Sequence, residues 1–529
     1  MTLLIAPQLM GPLGQYGIKH AALFDGGTGN LTRTPASAGD RQAWTLSLWY
    51  QRWKFDGSEQ VFFSSYQNAS NRADFRHGYL GVEDVSYSEN TGSGSAYYNT
   101  DAVFRDTTGF MHIVHVWDSA NATAGDRQRL YINGVRVTAL SGVTDPTLNL
   151  LSTTNNAVAH ALGYHQGFSA RYCKCYMAEV QFIDGQALDP SYFGETDAAT
   201  SQWKAKRYAG AYGANGFYLD FSNPANLGED QSGNGNDWTV GGSVSQVTST
   251  PTNVYATLSP LRTSLFSSTF ITYSLGNTRG NFAHATVYGY GASTLIFDIS
   301  DCDFYAEFIF NKAATSTAGV GVRPANNVDT QGATAAGQYI YQSDGNKDVS
   351  SSISAYGASW TTNVIGIHVN NGTVTLYKDG VSQGAIATGL TGQYEIIART
   401  YNYSAPVYVD ARFEEASWTQ APPTGSKSLC TDNLPSRSPK VPSTPETGSF
   451  AGNANADGPF INLGMAPDQS GASTINGNAI TWGTHADACA TGFKLRTSSA
   501  SYNASGANTY SIAVAAYAGG RNIPPATAQ

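Results

Sequence analysis

Several groups of side chains in this 529-residue chain have the right types for chemistry, so their spacing decides what they can do. Glycosidic cleavage needs two carboxylates flanking the scissile bond, one protonated as acid and one ionised as base or nucleophile. Glu414 and Glu415 are adjacent, and Glu179 and Asp184 stand an odd number of residues apart in a strand-like run. Along a strand such neighbours face opposite ways, so neither pair converges. His112 and His115 fail as joint metal ligands for the same reason, and packing or edge positions are expected for them. Cys173 and Cys175 share a face, but no second pair or nearby histidine completes a tetrahedral site. Together with Cys302, Cys430 and Cys489 they make an odd, irregularly spaced set. That set implies no disulfide framework and fits assembly in a reducing compartment. No Gly-x-Ser-x-Gly elbow or phosphate-binding glycine loop is found, and the expectation is a protein that is not an enzyme.

Two groups remain as binding candidates. Asp230, Asn234, Asn236 and Asp237 lie in the run Asp230-Gln-Ser-Gly-Asn-Gly-Asn-Asp237, whose side-chain oxygens suit a hard cation such as calcium. The same run also reads as a tight polar turn closed by Asx hydrogen bonds, and no other cofactor is expected. The stretch from Asn68 to Asn99 is rich in Tyr, Asn, Asp and Ser and reads as a variable loop. Within or beside it, Tyr87, Tyr97, Tyr98 and Asp101 are the expected carbohydrate-binding residues: a tyrosine ring stacks on a sugar face while amides and carboxylates read hydroxyls. A solvated loop or a subunit contact is the alternative.

The elements that must position these residues are strands. The chain has 56 glycines and 31 tyrosines with 13% charged residues, and aromatic and β-branched runs alternate with Gly, Asn, Ser and Thr. Trp44, Leu46, Leu48 and Tyr50 fall on one face of a period-two run. Residues 110–118 read as a strand covered on both faces. Asn133-Gly134 between two apolar runs is a hairpin turn, because both central residues of a type I′ turn need positive φ. No long helical period is present. About three or four domains are expected at this length. A net charge of −9 without a basic stripe argues against nucleic acid as partner. The apolar start of the chain, broken by Pro7 and lacking an early basic residue, is too short to cross a membrane and a poor secretion signal. It reads either as an arm that docks on a partner or as a frayed terminus or first strand.

The motifs Ala22-Leu-Phe-Asp-Gly, Trp44-Thr-Leu-Ser-Leu-Trp, Leu130-Tyr-Ile-Asn-Gly-Val-Arg-Val and Ala178-Glu-Val-Gln-Phe-Ile-Asp-Gly-Gln-Ala-Leu-Asp-Pro190 resemble the LamG/concanavalin A-like lectin fold over about 170 residues. That fold hosts lectins and glycosidases, but the Glu-x-Asp-x-x-Glu run of its laminarinase-like enzymes is missing here. Its relatives often carry calcium at a loop rim. Further on, Asp303-Phe-Tyr-Ala-Glu-Phe, Gly319-Val-Gly-Val, Tyr339-Ile-Tyr-Gln-Ser-Asp-Gly, Asn363-Val-Ile-Gly-Ile-His-Val and Gly372-Thr-Val-Thr-Leu-Tyr-Lys-Asp-Gly resemble a SPRY domain. Two positions depart from that pattern: Asn363 stands for the family's Asp, and Asp379-Gly380 for its Asn-Gly turn. The run from Phe193 through Trp203, Gly216-Phe-Tyr-Leu-Asp-Phe and Leu227 to Pro251 resembles large proteins of tailed bacteriophages.

These resemblances imply an all-β chain of two tandem antiparallel β-sandwiches, jelly-roll/LamG-like and then SPRY-like, with a small C-terminal β unit. The expected divisions are an attachment arm (1–20), the first sandwich (21–190), an extension completing or bridging it (191–264), the second sandwich (265–435), a Pro/Ser-rich linker (436–449) and the C-terminal unit (450–529). The implied role is non-enzymatic: a virion tail fibre, spike or baseplate component, made in the bacterial cytoplasm, that binds host-surface polysaccharide. It would attach to other virion proteins through its arm and assemble as a homo-oligomer, a trimer being the expected state. A capsid decoration or head-fibre protein and a divergent glycoside hydrolase are the alternatives.

Overall fold

In the computed structural model the described residues are 16–54, 57–168, 171–197, 202–260, 271–282, 289–312, 317–325, 337–401 and 407–434, with four short strands between 448 and 511. Among them there is no α-helix, only four single-turn 3-10 helices, and the sheets are antiparallel. The chain forms two compact units, the first ending at Asn253 and the second built from Val254 onward plus the short stretches 51–56 and 105–109.

The first unit has two eight-stranded sheets. The first sheet runs Val135–Arg136, Gln128–Ile132, Met111–Asp118, Ala43–Arg52, Lys174–Asp184, Ala21–Asp25 and Val244–Val247, with Phe217–Leu219 also paired to Lys174–Asp184. The second runs Leu140–Thr144, Gly94–Thr100, Val85–Thr91, Asn71–His77, Gln60–Asn68, Ala159–Leu162, Asn30–Arg33 and Thr239–Gly241. Strands from beyond residue 190 therefore complete both sheets.

Period-two alternation places Trp44, Leu46, Leu48 and Tyr50 in the core as expected, with Trp44 stacked on Trp117 at 6.0 Å. Burying each such side chain contributes about 1.5–3 kcal/mol. Met111–Asp118 is covered on both faces. Ile113 and Trp117 point into the core, while Val114 and Val116 lie under Phe193 and Tyr208. The Asn133-Gly134 turn has the positive φ values (49° and 80°) that its sequence demands.

The second unit also has two sheets. One runs Ile271–Ser274, Arg279–Phe282, Val407–Arg412, Asp303–Asn311, Val364–Asn370, Thr373–Lys378 and Val381–Ala387. The other runs Gly289–Ala292, Gln393–Tyr401, Thr317–Pro324, Tyr339–Gln342, Asn346–Val349 and Ser352–Ala355, with Phe297–Asp298 also paired to Gln393–Tyr401. Phe304, Ala306, Phe308 and Phe310 alternate into its core. Asn363 and Asp379, the two departures from the SPRY pattern, meet one another: Asn363 Nδ2 donates to Asp379 Oδ2 at 2.5 Å, and Asp379 Oδ1 accepts from Val364 N at 3.0 Å. The amide and the carboxylate have exchanged places across one hairpin. Strands Gly448–Phe450, Ser473–Asn476, Ala479–Thr481 and Thr509–Ser511 form a separate four-stranded sheet. The expected linker before 448, Cys489, most of the C-terminal unit and residues 1–15 lie outside the described residues.

Candidate functional site: the outer face of the second sheet

The stretch from Asn68 to Asn99, expected as a loop, is instead mostly strand: Asn71–His77, Val85–Thr91 and Gly94–Thr100. Its polar residues alternate with apolar ones, as a sheet with one core face requires. Ala73, Phe75, Tyr87, Ala96 and Tyr98 point inward. Cross-strand register then builds three outward rows. Tyr66, Arg72, Asn90 and Ser95 form one; Ser64, Asp74, Ser88 and Tyr97 the next; Arg76, Ser86 and Asn99 the third.

This register sorts the expected sugar-binding residues. Tyr87 and Tyr98 are corrected: both are only 1% exposed and serve the core. The Tyr87 hydroxyl donates to Glu89 Oε2 at 2.8 Å, and the Tyr98 hydroxyl lies 2.8 Å from His115 Nδ1. A ring locked between sheets has no face to offer a sugar. Tyr97, one residue from Tyr98 and so on the other face, is 43% exposed. Asp101 is exposed just past the strand end, where its N–H is held by the Ala139 carbonyl.

On the same outward face, strand Asn71–His77 carries a buried ionic cluster. Asp74 is 1% exposed, with Arg76 Nη1 at 2.5 Å and His165 Nε2 at 4.0 Å. Burial pushes the Asp74 carboxyl above its usual range against the pull of Arg76, Arg171 and Arg72. Burial, reinforced by the same arginines, holds the His165 imidazolium down to about 4, so the ring is neutral at neutral pH. His165 Nδ1 accepts from Gly167 N at 2.9 Å, which leaves the proton on Nε2. Arg72 and Arg171 lie over the Phe168 ring at 5.1 and 4.3 Å, and Arg76 over Tyr79 at 4.3 Å. The guanidiniums are thereby held in fixed positions. The arrangement is a rigid polar platform bearing one exposed tyrosine flanked by Asn90, Asn99 and Ser88. It can stack and hydrogen-bond, and its carboxyl–imidazole pair, Asp74 and His165, is buried.

Residues 25–191 match the concanavalin A-like lectin/glucanases superfamily. The platform lies wholly within this matched segment. Among solved structures, the chain is similar to mouse laminin α1 domains LG4-5 (10% identity, 79% of this chain and 88% of that one, TM-score 0.28). It is also similar to a human SPRY domain (14%, 27% and 94%, 0.23) and to a putative carbohydrate-binding protein of Bacteroides ovatus (14%, 44% and 60%, 0.30). At those values none of the three bears on function. The curated proteins contain no match to the chain.

The other chemistry-bearing residues are bound up in structure. Asp184 Oδ1 accepts from Asp40 N at 2.8 Å and Asn155 Nδ2 at 2.5 Å, and its Oδ2 from Asn215 N at 3.0 Å. His112 stacks on Trp49 and accepts from Trp203 Nε1 at 3.0 Å, while His115, on the opposite face, packs against Phe75 and Tyr87. Cys173, Cys175, Cys302 and Cys430 are buried and take part in no disulfide.

Outside the matched segment, the loop expected as a calcium cradle is a self-bonded turn. Asp230 accepts from Tyr218 N, Ser232 N, Ser232 Oγ and Asn236 N at 2.7–2.9 Å, and Asp237 Oδ1 from Asp230 N at 2.8 Å. Asn234 and Asn236 donate their amides to carbonyls of Gly213, Ala214 and Gly216, and Asn236 Oδ1 accepts from Arg33. The oxygens that would face a cation already face N–H and O–H donors, which makes Asp230, Asn234, Asn236 and Asp237 a latch. Sequence reasoning missed Arg72, Asp74, Arg76 and His165. The alternation Arg72-Ala-Asp-Phe-Arg76 was the available signal for the first three. His165 comes from a distant loop and carried none.

Proposed function

We propose that the chain is a non-enzymatic structural protein of a bacteriophage virion, a tail fibre, spike or baseplate component, that binds host-surface glycans through the outer face of the second sheet. The observation that carries the glycan reading is Tyr97: an exposed aromatic ring on a rigid strand, with Asn90, Asn99 and Ser88 within reach of a saccharide's hydroxyls. The match of residues 25–191 to a superfamily of lectins and glucanases supports a carbohydrate ligand. The virion setting rests on the sequence resemblance of residues 193–251 to proteins of tailed phages, as do attachment through the leading segment and a trimeric state.

Purified protein is expected to bind host-cell polysaccharide and to block phage adsorption. Tyr97→Ala should weaken binding at least about tenfold, equivalent to about 1.4 kcal/mol, with an unchanged circular dichroism spectrum. Binding that ignores Tyr97→Ala would remove this face from the reading. Steady release of reducing ends from the polysaccharide would replace it with a glycoside hydrolase. Immunogold labelling of particles separates tail from head: gold over the capsid would make the chain a decoration protein.

A further inference from the structure

We propose that Tyr16, Glu179 and Tyr218 form a proton-dependent clasp, which holds the start of the first sandwich closed while Glu179 is protonated and opens when that proton leaves. The three side chains close a ring of short oxygen contacts. Tyr16 Oη lies 2.6 Å from Glu179 Oε2, Tyr218 Oη 2.7 Å from Glu179 Oε1, and the two hydroxyls 2.8 Å from each other. Each contact at such a distance needs one proton between its oxygens. The two phenols supply two. If both donate to an ionised carboxylate, the hydroxyl–hydroxyl contact is left with two lone pairs facing each other. The third proton can come only from Glu179 itself. With a carboxylic acid, each of the three groups donates once and accepts once around the ring: one carboxyl oxygen donates and the other accepts.

The backbone is arranged to present this group. Glu179 has φ +50°, a left-handed conformation that a residue with a side chain rarely adopts within a strand, and it is 4% exposed. Tyr218 comes from the neighbouring strand Phe217–Leu219, and Tyr16 from the leading segment. The other charged or titratable groups around the carboxyl are Asp220 beyond that strand, and Arg207 and Tyr212 on the segment covering the first sheet. Burial pushes the Glu179 carboxyl up to about 7, with Asp220 adding to the rise and the two tyrosines and Arg207 opposing it. Both phenols are pushed up from their ordinary value and stay protonated. Two further bonds hold the segment independently of pH: Ile18 N donates to Thr252 Oγ1 at 2.8 Å, and Thr250 Oγ1 donates to the Ile18 carbonyl at 2.9 Å. Loss of the proton therefore frees Tyr16, while Ile18 stays in place.

Chymotrypsin cuts after an accessible Tyr or Phe, so cleavage between residues 16 and 17 of the full chain reads the clasp directly. The rate is normalised at each pH to a free peptide of the same sequence. One linked proton makes the normalised rate about tenfold higher at pH 8 than at pH 6. Glu179→Gln, whose amide supplies the third hydrogen permanently, should be cut slowly at both pH values. Tyr16→Phe, which loses a single hydroxyl and keeps a cleavable ring, should be cut fast at both. A wild-type rate that does not change with pH overturns the clasp. So does Glu179→Gln cut as fast as wild type at pH 8, or Tyr16→Phe cut as slowly as wild type at pH 6.

Discussion

At the scale of single residues, burial rather than type separates the working tyrosine from its neighbours. Tyr97 and Tyr98 are adjacent, yet one meets solvent and the other the core, because side chains alternate across a strand. The same burial sets a pH dependence. Glu89 points inward and accepts from Tyr87, Ser152 and Thr153 at 2.7–2.8 Å, and desolvation still pushes its carboxyl up to about 7. Its folded value lies above that of an unfolded chain, so the folded state binds the proton more tightly. The stability linked to that proton is fully present below pH ~4.5 and is lost as pH rises through about 7, on the order of 3 kcal/mol. Glu179 acts in the same direction. His112, His160 and His165, held down by burial, act in the opposite direction over this range, so the Glu89 contribution is read as a difference: the urea midpoint of Glu89→Gln should rise relative to wild type as pH increases through about 7. An unchanged slope in the variant would mean that Glu89 is ionised in the folded protein throughout.

At the scale of elements, turns carry the most legible information and register the least. Asn133-Gly134, Asn371-Gly372 and Asp379-Gly380 each take two positive φ values in succession, as their sequences require. The exchanged pair Asn363 and Asp379 shows what a turn adds beyond its own residues, since the Asn363 amide ties the start of strand Val364–Asn370 to the turn at Asp379. Asn363→Asp would set two carboxylates against each other and should cost on the order of 1 kcal/mol, read as a lower urea midpoint. Adding Asp379→Asn should restore most of it. A double variant no better than the single one would show that the contact contributes nothing. The platform depends on register: a slip of one residue would turn Arg72, Asp74 and Arg76 toward the apolar core and Phe75 away from it.

At the scale of the whole molecule, stability rests on sandwich cores, without disulfides among the described residues. No three His, Cys, Asp or Glu side chains converge among those residues, and the Asp230 loop is closed by its own hydrogen bonds. Treatment with a chelator is therefore expected to leave the Tm unchanged. A drop of several degrees, reversed by calcium, would mean that the loop holds a cation after all.

The sequence by itself determined the class and much of the local structure. Alternating runs make strands because the strand period is two, Asn-Gly and Asp-Gly make tight turns because those residues tolerate positive φ, and the Trp44–Tyr50 run makes a core face because its apolar residues fall on one side. Only the tertiary structure decided which polar residues work together. Asp74 and His165, Glu179 and Tyr16, and Asn363 and Asp379 are far apart in the chain, and pairing register or loop return brings each pair together. It also decided which tyrosines are buried, because alternation assigns residues to two faces without saying which face a second sheet will cover.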